Sequence, residues 1–153
     1  MEIVLVVVFS YFCGSIPFGL ILTKIFSKQD IREIGSGNIG ATNVLRAGNK
    51  YLAFVTLFLD ILKGYIPVLL AKQFFPELLQ LSALLVFLGH LFPIWLKFKG
   101  GKGVATFLGI LLATSYGLTA LFIFTWLTVS LIFKYSSLVI TKLLIRKRKH
   151  DGN

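Results

Sequence analysis

The chain has 153 residues, of which 56% are hydrophobic, and a formal net charge of +10 at pH 7. Its mean hydropathy of +0.85 excludes an ordinary soluble domain and predicts an integral membrane protein. In so apolar a chain, the positive charge favours anionic lipid headgroups and phosphorylated substrates over nucleic acid as partners. The length suits one domain, residues 1–153, of several short spans, and the single Cys13 excludes an internal disulfide.

The first apolar segment, residues 1–26, is interpreted as a retained membrane span. It lacks the basic start and the small-residue cleavage site of a signal peptide, and it is too long for one. Ser15, Pro17 and Gly19 interrupt the segment and predict a kink, which a membrane helix tolerates where neighbouring groups bond the freed carbonyl. Residues 27–50 follow as a polar loop with a helical turn near 30–34.

Four further apolar segments follow, at 51–71, 78–96, 104–114 and 118–133, with breaks at 72–77 and 115–117. The third of these is too short to cross a bilayer squarely at about 1.5 Å per residue, so a re-entrant course is open for it. Basic residues concentrate between the first and second spans, near residues 97–102 and from residue 134 onward, around a weakly apolar stretch at 138–145. The positive-inside rule then predicts an all-α membrane protein with about five transmembrane helices, its N-terminus outside and its C-terminus cytoplasmic.

The first glycine loop, residues 35–46, reads Gly-Ser-Gly-Asn-Ile-Gly-Ala-Thr-Asn-Val-Leu-Arg. Amides exposed by glycine, small hydroxyls and a guanidinium suit an anion with several acceptor oxygens, above all phosphate, although an ordinary polar turn is the alternative. The first six residues match G-x-G-x-x-G, but a membrane span precedes them instead of a strand, which excludes a dinucleotide site. The candidate substrate-binding positions are Gly35, Gly37, Asn38, Gly40, Thr42 and Asn43.

The second glycine loop, residues 97–103, reads Lys-Phe-Lys-Gly-Gly-Lys-Gly. Lys102 is a candidate phosphate ligand because glycines on both sides remove bulk, and a headgroup anchor is the alternative. Gly103 stands where a Walker A loop needs Ser or Thr, which excludes that NTPase motif. We predict no metal and no cofactor, since no ligand spacing for either is present. The candidate substrate-binding positions here are Gly100, Gly101, Gly103 and Thr106.

Three ionisable residues lie inside apolar segments. Asp60 and Lys63 are three residues apart and so share one helix face. Each would cost about 2.5–3.5 kcal/mol at the centre of a bilayer, so they should pair or face the protein interior; a structural pair near the headgroups is the alternative. His90 precedes Pro93, and both a hydrogen-bonded core residue and a catalyst remain open for it.

Four stretches together closely resemble the bacterial acyl-phosphate:glycerol-3-phosphate acyltransferases, the PlsY family. They are residues 35–46, Asp-Ile-Leu-Lys-Gly at 60–64, Gly-His-Leu-Phe-Pro at 89–93 with Phe-Lys-Gly-Gly-Lys-Gly-Val-Ala-Thr at 98–106, and Tyr-Ser-Ser-Leu at 135–138. The resemblance covers roughly residues 10–138. It implies a multi-pass enzyme of the bacterial inner membrane whose active site faces the cytoplasm. The active-site positions that it implies are Ser36, Arg46, His90, Lys102 and Ser137.

The implied reaction moves a fatty acyl group from acyl phosphate to the 1-hydroxyl of glycerol 3-phosphate, forming lysophosphatidate. Because acyl phosphate carries its own leaving group, such an enzyme mainly aligns two anionic substrates and stabilises an oxyanion. Arg46 and Lys102 would hold the phosphates, and either His90 or a substrate phosphate would take the proton. The expected partners are both substrates, membrane lipids and the soluble enzyme that makes acyl phosphate, without nucleic acid.

The C-terminal end departs from the family pattern. Lys134 replaces an arginine, keeping the charge but losing the bidentate fork, and the family continues with further membrane segments where this chain has a basic tail at 146–149. An inactive, shortened relative is therefore an alternative. A small transporter or binder of a phosphorylated metabolite would usually show paired repeats, and a membrane-anchored interaction protein would leave both glycine loops unexplained.

Overall fold

The computed structural model describes residues 1–133, which form helices and connecting turns without a strand. The chain divides into two compact units, Met1–Tyr116 and Gly117–Asn153. Short 3-10 helices lie at Ile31–Glu33, Pro76–Leu78 and Ile94–Leu96. The α-helices are α1 (Glu2–Ser15), α2 (Phe18–Phe26), α3 (Ala41–Arg46), α4 (Lys50–Phe74), α5 (Leu79–Leu91), α6 (Val104–Thr114) and α7 (Tyr116–Phe133).

Two helical segments of the described part are long and apolar enough to cross a membrane, namely Lys50–Phe74 and Pro76–Leu96. A third span results if α1 and α2, which meet at a bend of 43°, are counted as one. Helix α6 and residues Tyr116–Val129 are apolar but shorter. Length and composition thus give two or three spans, and the predicted total of about five stays a prediction.

The predicted kink in the first span is confirmed, and a buried lysine stabilises it. Helix α1 ends at Ser15, α2 begins at Phe18, and Pro17 lies between them. The carbonyl of Ile16, which lies in this break, accepts a hydrogen bond of 2.7 Å from Lys63 Nζ on α4 and one of 3.1 Å from the backbone N–H of Phe18. The break therefore exposes no unpaired carbonyl to the membrane interior at that position.

Small residues let the helices approach closely, as is typical of membrane proteins. On the α1–α5 contact, Gly14 lies directly against the backbone carbonyl of Val86, and the Ser10 and Ser82 hydroxyls are 2.8 Å apart. On the α4–α6 contact, Gly64 lies directly against the carbonyl of Thr106. These two contacts fix the scaffold from which both glycine loops project.

The predicted break at 72–77 is wrong in its start, because α4 continues to Phe74. Lys72 lies in the last turn of α4, and its Nζ donates to the carbonyls of Ala113 and Thr114, each at 3.1 Å. A lysine that caps the end of a neighbouring helix can remain helical at a membrane edge. The predicted bounds 104–114 for the helix that is now α6 are confirmed.

Candidate active site

The first glycine loop folds around the buried side-chain amide of Asn43. Its Oδ1 accepts from the backbone N–H of Ser36 at 3.0 Å. Its Nδ2 donates to the carbonyls of Ile31 and Ile34 at 2.9 and 2.8 Å. One side chain on α3 thus joins three backbone groups of the preceding segment, leaving Ser36 exposed at the tip of the loop.

Arg46 lies at the end of α3 and returns toward the same tip. A Cβ placed on Gly35 would lie 3.6 Å from Arg46 Cδ, so the stem of this half-buried side chain passes beside Gly35. The structure therefore brings Arg46 and Ser36 to the same end of the loop. Asn38 stabilises the turn into α3, since its Oδ1 accepts from the Gly40 N–H at 2.9 Å. Thr42, in the first turn of α3, is half-buried.

An ion-pair cluster holds the outer side of the first loop. The Asp30 carboxylate accepts from Arg32 at 2.6 and 2.9 Å, and Lys24 Nζ lies 3.3 Å from it. Hydrogen bonds from the Arg32 side chain are the main reason that the pKa of Asp30 lies well below its usual range. The same interaction raises the pKa of Arg32.

The second glycine loop folds back onto the end of α5. The backbone N–H of Gly100 donates to the Leu91 carbonyl at 3.0 Å, and that of Gly101 donates to the His90 carbonyl at 3.1 Å. Gly101 lies so close to the His90 ring that a Cβ there would overlap Nε2. Lys102 is exposed and directly precedes Gly103, the N-cap residue of α6, which has a left-handed φ of 80°.

His90 is 4% exposed, and its Nδ1 lies 3.1 Å from Thr106 Oγ1. The structure thus places His90 as a hydrogen-bonded core residue whose other ring nitrogen faces the second glycine loop. Thr106, a candidate substrate ligand, is fully buried and contacts His90. Neither the catalytic role of His90 nor a substrate contact of Thr106 follows from these contacts alone, and both stay predictions.

The two loops are connected through a shared apolar cluster. Ile31, Ile39 and Val44 of the first loop region are buried together, and Leu96, which precedes the second loop, packs against them. Trp95 adds a contact to α1, because its Nε1 donates to the Ser15 carbonyl at 3.1 Å and lies 2.9 Å from the Ser15 hydroxyl. This proximity agrees with the predicted joint site. Trp95 and Leu96 were not among the predicted site residues, and their sequence signal is only that of apolar residues at a span end.

Asp60 and Lys63 pair inside the protein as predicted. Asp60 Oδ1 lies 2.7 Å from Lys63 Nζ, and both side chains are almost completely buried. The ammonium group also bonds the Ile16 carbonyl and lies 5.6 Å from the centroid of the Phe18 ring. The remaining predicted site residue, Ser137, lies outside the described residues, as does Lys134.

Fold and site together define a helical integral membrane protein with two adjoining polar loops that suit phosphate-bearing ligands. The family described as "Glycerol-3-phosphate acyltransferase" matches residues 4–145, and the chain belongs to this family. The predicted family is thereby confirmed.

Curated relatives and solved structures agree with this assignment. The chain is 59% identical over 138 residues to a glycerol-3-phosphate acyltransferase of Pelagibacter ubique, covering 90% of this chain and 72% of the relative. A relative from Mesorhizobium japonicum is 56% identical, with coverages of 89% and 70%. The crystal structure of PlsY, an integral membrane glycerol 3-phosphate acyltransferase, in its glycerol 3-phosphate form has a TM-score of 0.83 at 40% identity, covering 95% of this chain and 76% of that one. Its lysophosphatidic acid form has a TM-score of 0.78 at 41% identity, with coverages of 86% and 66%.

Proposed function

We propose that this chain transfers a fatty acyl group from acyl phosphate to the 1-hydroxyl of glycerol 3-phosphate. Membership of the glycerol-3-phosphate acyltransferase family makes it an acyltransferase that uses glycerol 3-phosphate. The observation that supports the fuller proposal is the packing of Leu96, which directly precedes the second glycine loop, against the apolar cluster of the first-loop region. One cationic group on each loop, Arg46 and Lys102, would suit a reaction between two phosphorylated substrates.

In the proposed reaction, the 1-hydroxyl oxygen of glycerol 3-phosphate attacks the acyl carbonyl carbon. The bond from that carbon to the phosphate oxygen breaks, inorganic phosphate leaves, and lysophosphatidate forms. Arg46 and Lys102 hold the two phosphates, and the Ser36 and Ser137 hydroxyls bind phosphate or oxyanion oxygens. Aligning the substrates and stabilising the oxyanion supply most of the rate enhancement.

The hydroxyl proton goes either to His90 or to a phosphate oxygen of a substrate. With Nδ1 engaged by Thr106, His90 would accept the proton at Nε2, which is the ring nitrogen beside Gly101. His90 as base requires one free ring nitrogen near the substrate, whereas a substrate phosphate as proton acceptor requires no protein base.

The proposal includes topology. Residues 1–153 form one membrane domain of about five spans in the bacterial inner membrane, with both glycine loops on the cytoplasmic side. Cysteines introduced at Lys28 and Lys99 in a variant lacking Cys13 should resist an impermeant thiol reagent in intact cells and react after permeabilisation. Labelling of one position but not the other in intact cells would place the two loops on different faces.

A direct assay tests the proposed reaction. The purified protein in lipid or detergent is incubated with glycerol 3-phosphate and either acyl phosphate or an acyl thioester. We expect lysophosphatidate and one equivalent of phosphate with acyl phosphate only. Product from the thioester alone would overturn the proposed donor, and binding of glycerol 3-phosphate without product from either donor would indicate the inactive relative.

A further inference from the structure

We infer that Lys63 is a positioning residue for the first glycine loop, on which it acts through helix α2. Lys63 lies in α4, a helix long and apolar enough to cross a membrane, and takes no part in the proposed reaction. An ammonium group inside such a helix is costly and usually serves a functional site. The described contacts connect it to the first loop, and the consequence for catalysis rests on the proposed function.

The ammonium group of Lys63 bonds the break between α1 and α2. It lies 2.7 Å from Asp60 Oδ1 and donates to the Ile16 carbonyl at 2.7 Å. The same carbonyl accepts from the backbone N–H of Phe18, the first residue of α2, whose ring centroid lies 5.6 Å from Lys63 Nζ. Because Asp60 and Lys63 belong to one helix, their ion pair alone cannot position α2. The bond to Ile16 can, since it joins α4 to the residues where α2 begins.

Helix α2 in turn lies directly against the backbone of the first glycine loop. A Cβ on Gly19, the second residue of α2, would overlap the carbonyl oxygen of Ile39 and would lie 3.1 Å from Thr56 Cγ2 of α4. Leu20 is buried in the same apolar cluster as Ile39 and Val44. A displacement of α2 therefore moves the loop backbone or opens this cluster.

The two glycine loops should respond differently to loss of the bond from Lys63 to Ile16. Close packing transmits a displacement at the start of α2 to the first loop, which carries Ser36 and Arg46. The second loop is anchored by its own backbone on the end of α5 and should respond less. This difference distinguishes a positioning role from a general contribution to stability.

Three variants separate the bond to Ile16 from the buried ion pair. Lys63→Met removes the donor, and Asp60→Asn removes the partner charge while keeping the donor. The double variant Asp60→Asn/Lys63→Met removes both buried charges. Replacing a buried ion pair by neutral groups is often neutral for stability, so the double variant can be measured even where Lys63→Met, with its uncompensated carboxylate, does not fold.

Hydrogen–deuterium exchange tests the inference without relying on activity. The amides of Ser36, Gly37 and Gly40 donate hydrogen bonds within the first loop. In the double variant they should exchange about 10-fold faster than in the unsubstituted chain, as loss of a hydrogen bond from a charged donor implies. The amides of residues 97–103 should change by less than about twofold, and Asp60→Asn should leave both loops near their original rates.

Three results would overturn the inference. Unchanged first-loop exchange in the double variant would mean that the bond to Ile16 does not position the loop. Equal acceleration in both glycine loops would mean a general loosening of the fold. Acceleration in Asp60→Asn and in Lys63→Met that disappears in the double variant would mean that only the balance of buried charge matters.

Gly19→Ala tests the step through α2 while Lys63 stays in place. The added Cβ would strike the Ile39 carbonyl and should accelerate exchange of the same loop amides. Combined with the double variant, the two effects should not add, because both act on the loop through α2. A first loop unaffected by Gly19→Ala, or full additivity, would contradict the route through α2.

Kinetics connect the inference to the proposed function. The double variant should raise the KM for glycerol 3-phosphate about 3- to 10-fold and should lower kcat less, because the first loop is displaced while the second keeps its anchor. A lower kcat with an unchanged KM would contradict the positioning role. If the unsubstituted chain forms no product, the proposed function fails, and the exchange rates alone decide the inference.

Discussion

The two glycine loops each combine several glycines with a cationic side chain, yet they are held in place by different forces. In the first loop, a polar side chain reaches inward: Asn43 bonds three backbone groups around Gly35, which adopts a left-handed φ of 59°. In the second loop, the backbone itself folds onto the end of α5, and Gly101 is needed because any side chain would strike His90.

This difference determines how each loop should respond to substitution. Hydrogen bonds to a neutral amide can be lost one at a time, at about 0.5–1.5 kcal/mol net each and more where a buried partner stays unpaired. A side chain at Gly101 cannot be accommodated in part, because even one added carbon forces the His90 ring or the loop to move. We therefore expect graded effects in the first loop and abrupt effects in the second.

The largest effect is expected for Gly101→Ala. The added Cβ would overlap His90 Nε2 and displace either the ring or the loop that carries Lys102. A displacement of about 1 Å can cost on the order of a hundredfold in rate, and we expect at least that loss in kcat. Acyl transfer from acyl phosphate measures it. Gly48→Ala is the control for backbone strain without overlap: its Cβ would meet open space, but the φ of 95° disfavours a side chain, so it should lower stability while the folded protein keeps its kcat.

The second-largest effect, a loss in kcat/KM, is expected for Arg46→Ala and Lys102→Ala. Each loses a charge-assisted bond to phosphate worth roughly 1.5–3 kcal/mol, which corresponds to about 10- to 150-fold in kcat/KM. Lys99→Ala removes an exposed charge from the same loop as Lys102 and should change kcat/KM less than twofold. Equal losses at all three positions would leave only a diffuse electrostatic role and would contradict the proposed phosphate contacts.

A smaller effect is expected for Asn43→Ala, which tests the polar support of the first loop. It leaves the Ser36 N–H and the carbonyls of Ile31 and Ile34 without their partner. The free energy of unfolding should fall by about 1–3 kcal/mol. The KM for glycerol 3-phosphate should rise more than kcat falls, because the loop loosens while His90 keeps its contacts. A loss confined to kcat would contradict the claim that Asn43 supports the first loop independently of the contacts of His90.

The parts of the fold that sequence could predict depend on local signals. Pro17 marks the bend in the first span, the flanking glycine and serine set the bounds of α6, and the three-residue spacing of Asp60 and Lys63 puts both on one face. His90 and Lys102 were likewise predicted from a local signal, because both belong to the motif at residues 89–106.

What sequence could not give depends on contacts between distant segments. The partners of Asn43 lie 9 and 12 residues away at carbonyls, which carry no residue signature. Lys63 bonds a carbonyl 47 residues away, and Lys72 looked like the end of a helix because its capping partners on α6 are 41 and 42 residues away. Such contacts depend on which helices pack together. The apolar pattern of a membrane chain does not predict those neighbours.

The smallest effect is expected for Asp30→Asn, in the ion-pair cluster of Asp30, Arg32 and Lys24 beside the first loop. The folded-state pKa of Asp30 lies below its usual range, so ionised Asp30 stabilises the fold above the unfolded-state pKa of about 3.9. That contribution is lost as the pH falls from about 4 through the folded-state pKa.

Because Arg32 and Lys24 are solvent-exposed, the contribution at pH 7 should be at most about 1 kcal/mol and should decrease with added salt. Thermal unfolding of Asp30→Asn and of the unsubstituted chain should therefore differ most at neutral pH and low salt, and converge as the pH is lowered below about 4. Glu33→Gln, an exposed carboxylate three residues away, serves as the control for a general charge effect. A difference in unfolding temperature that grows on acidification would mean that the ion-pair cluster does not act through the ionised carboxylate. The first loop would then depend on the hydrogen bonds of Asn43 and Asn38.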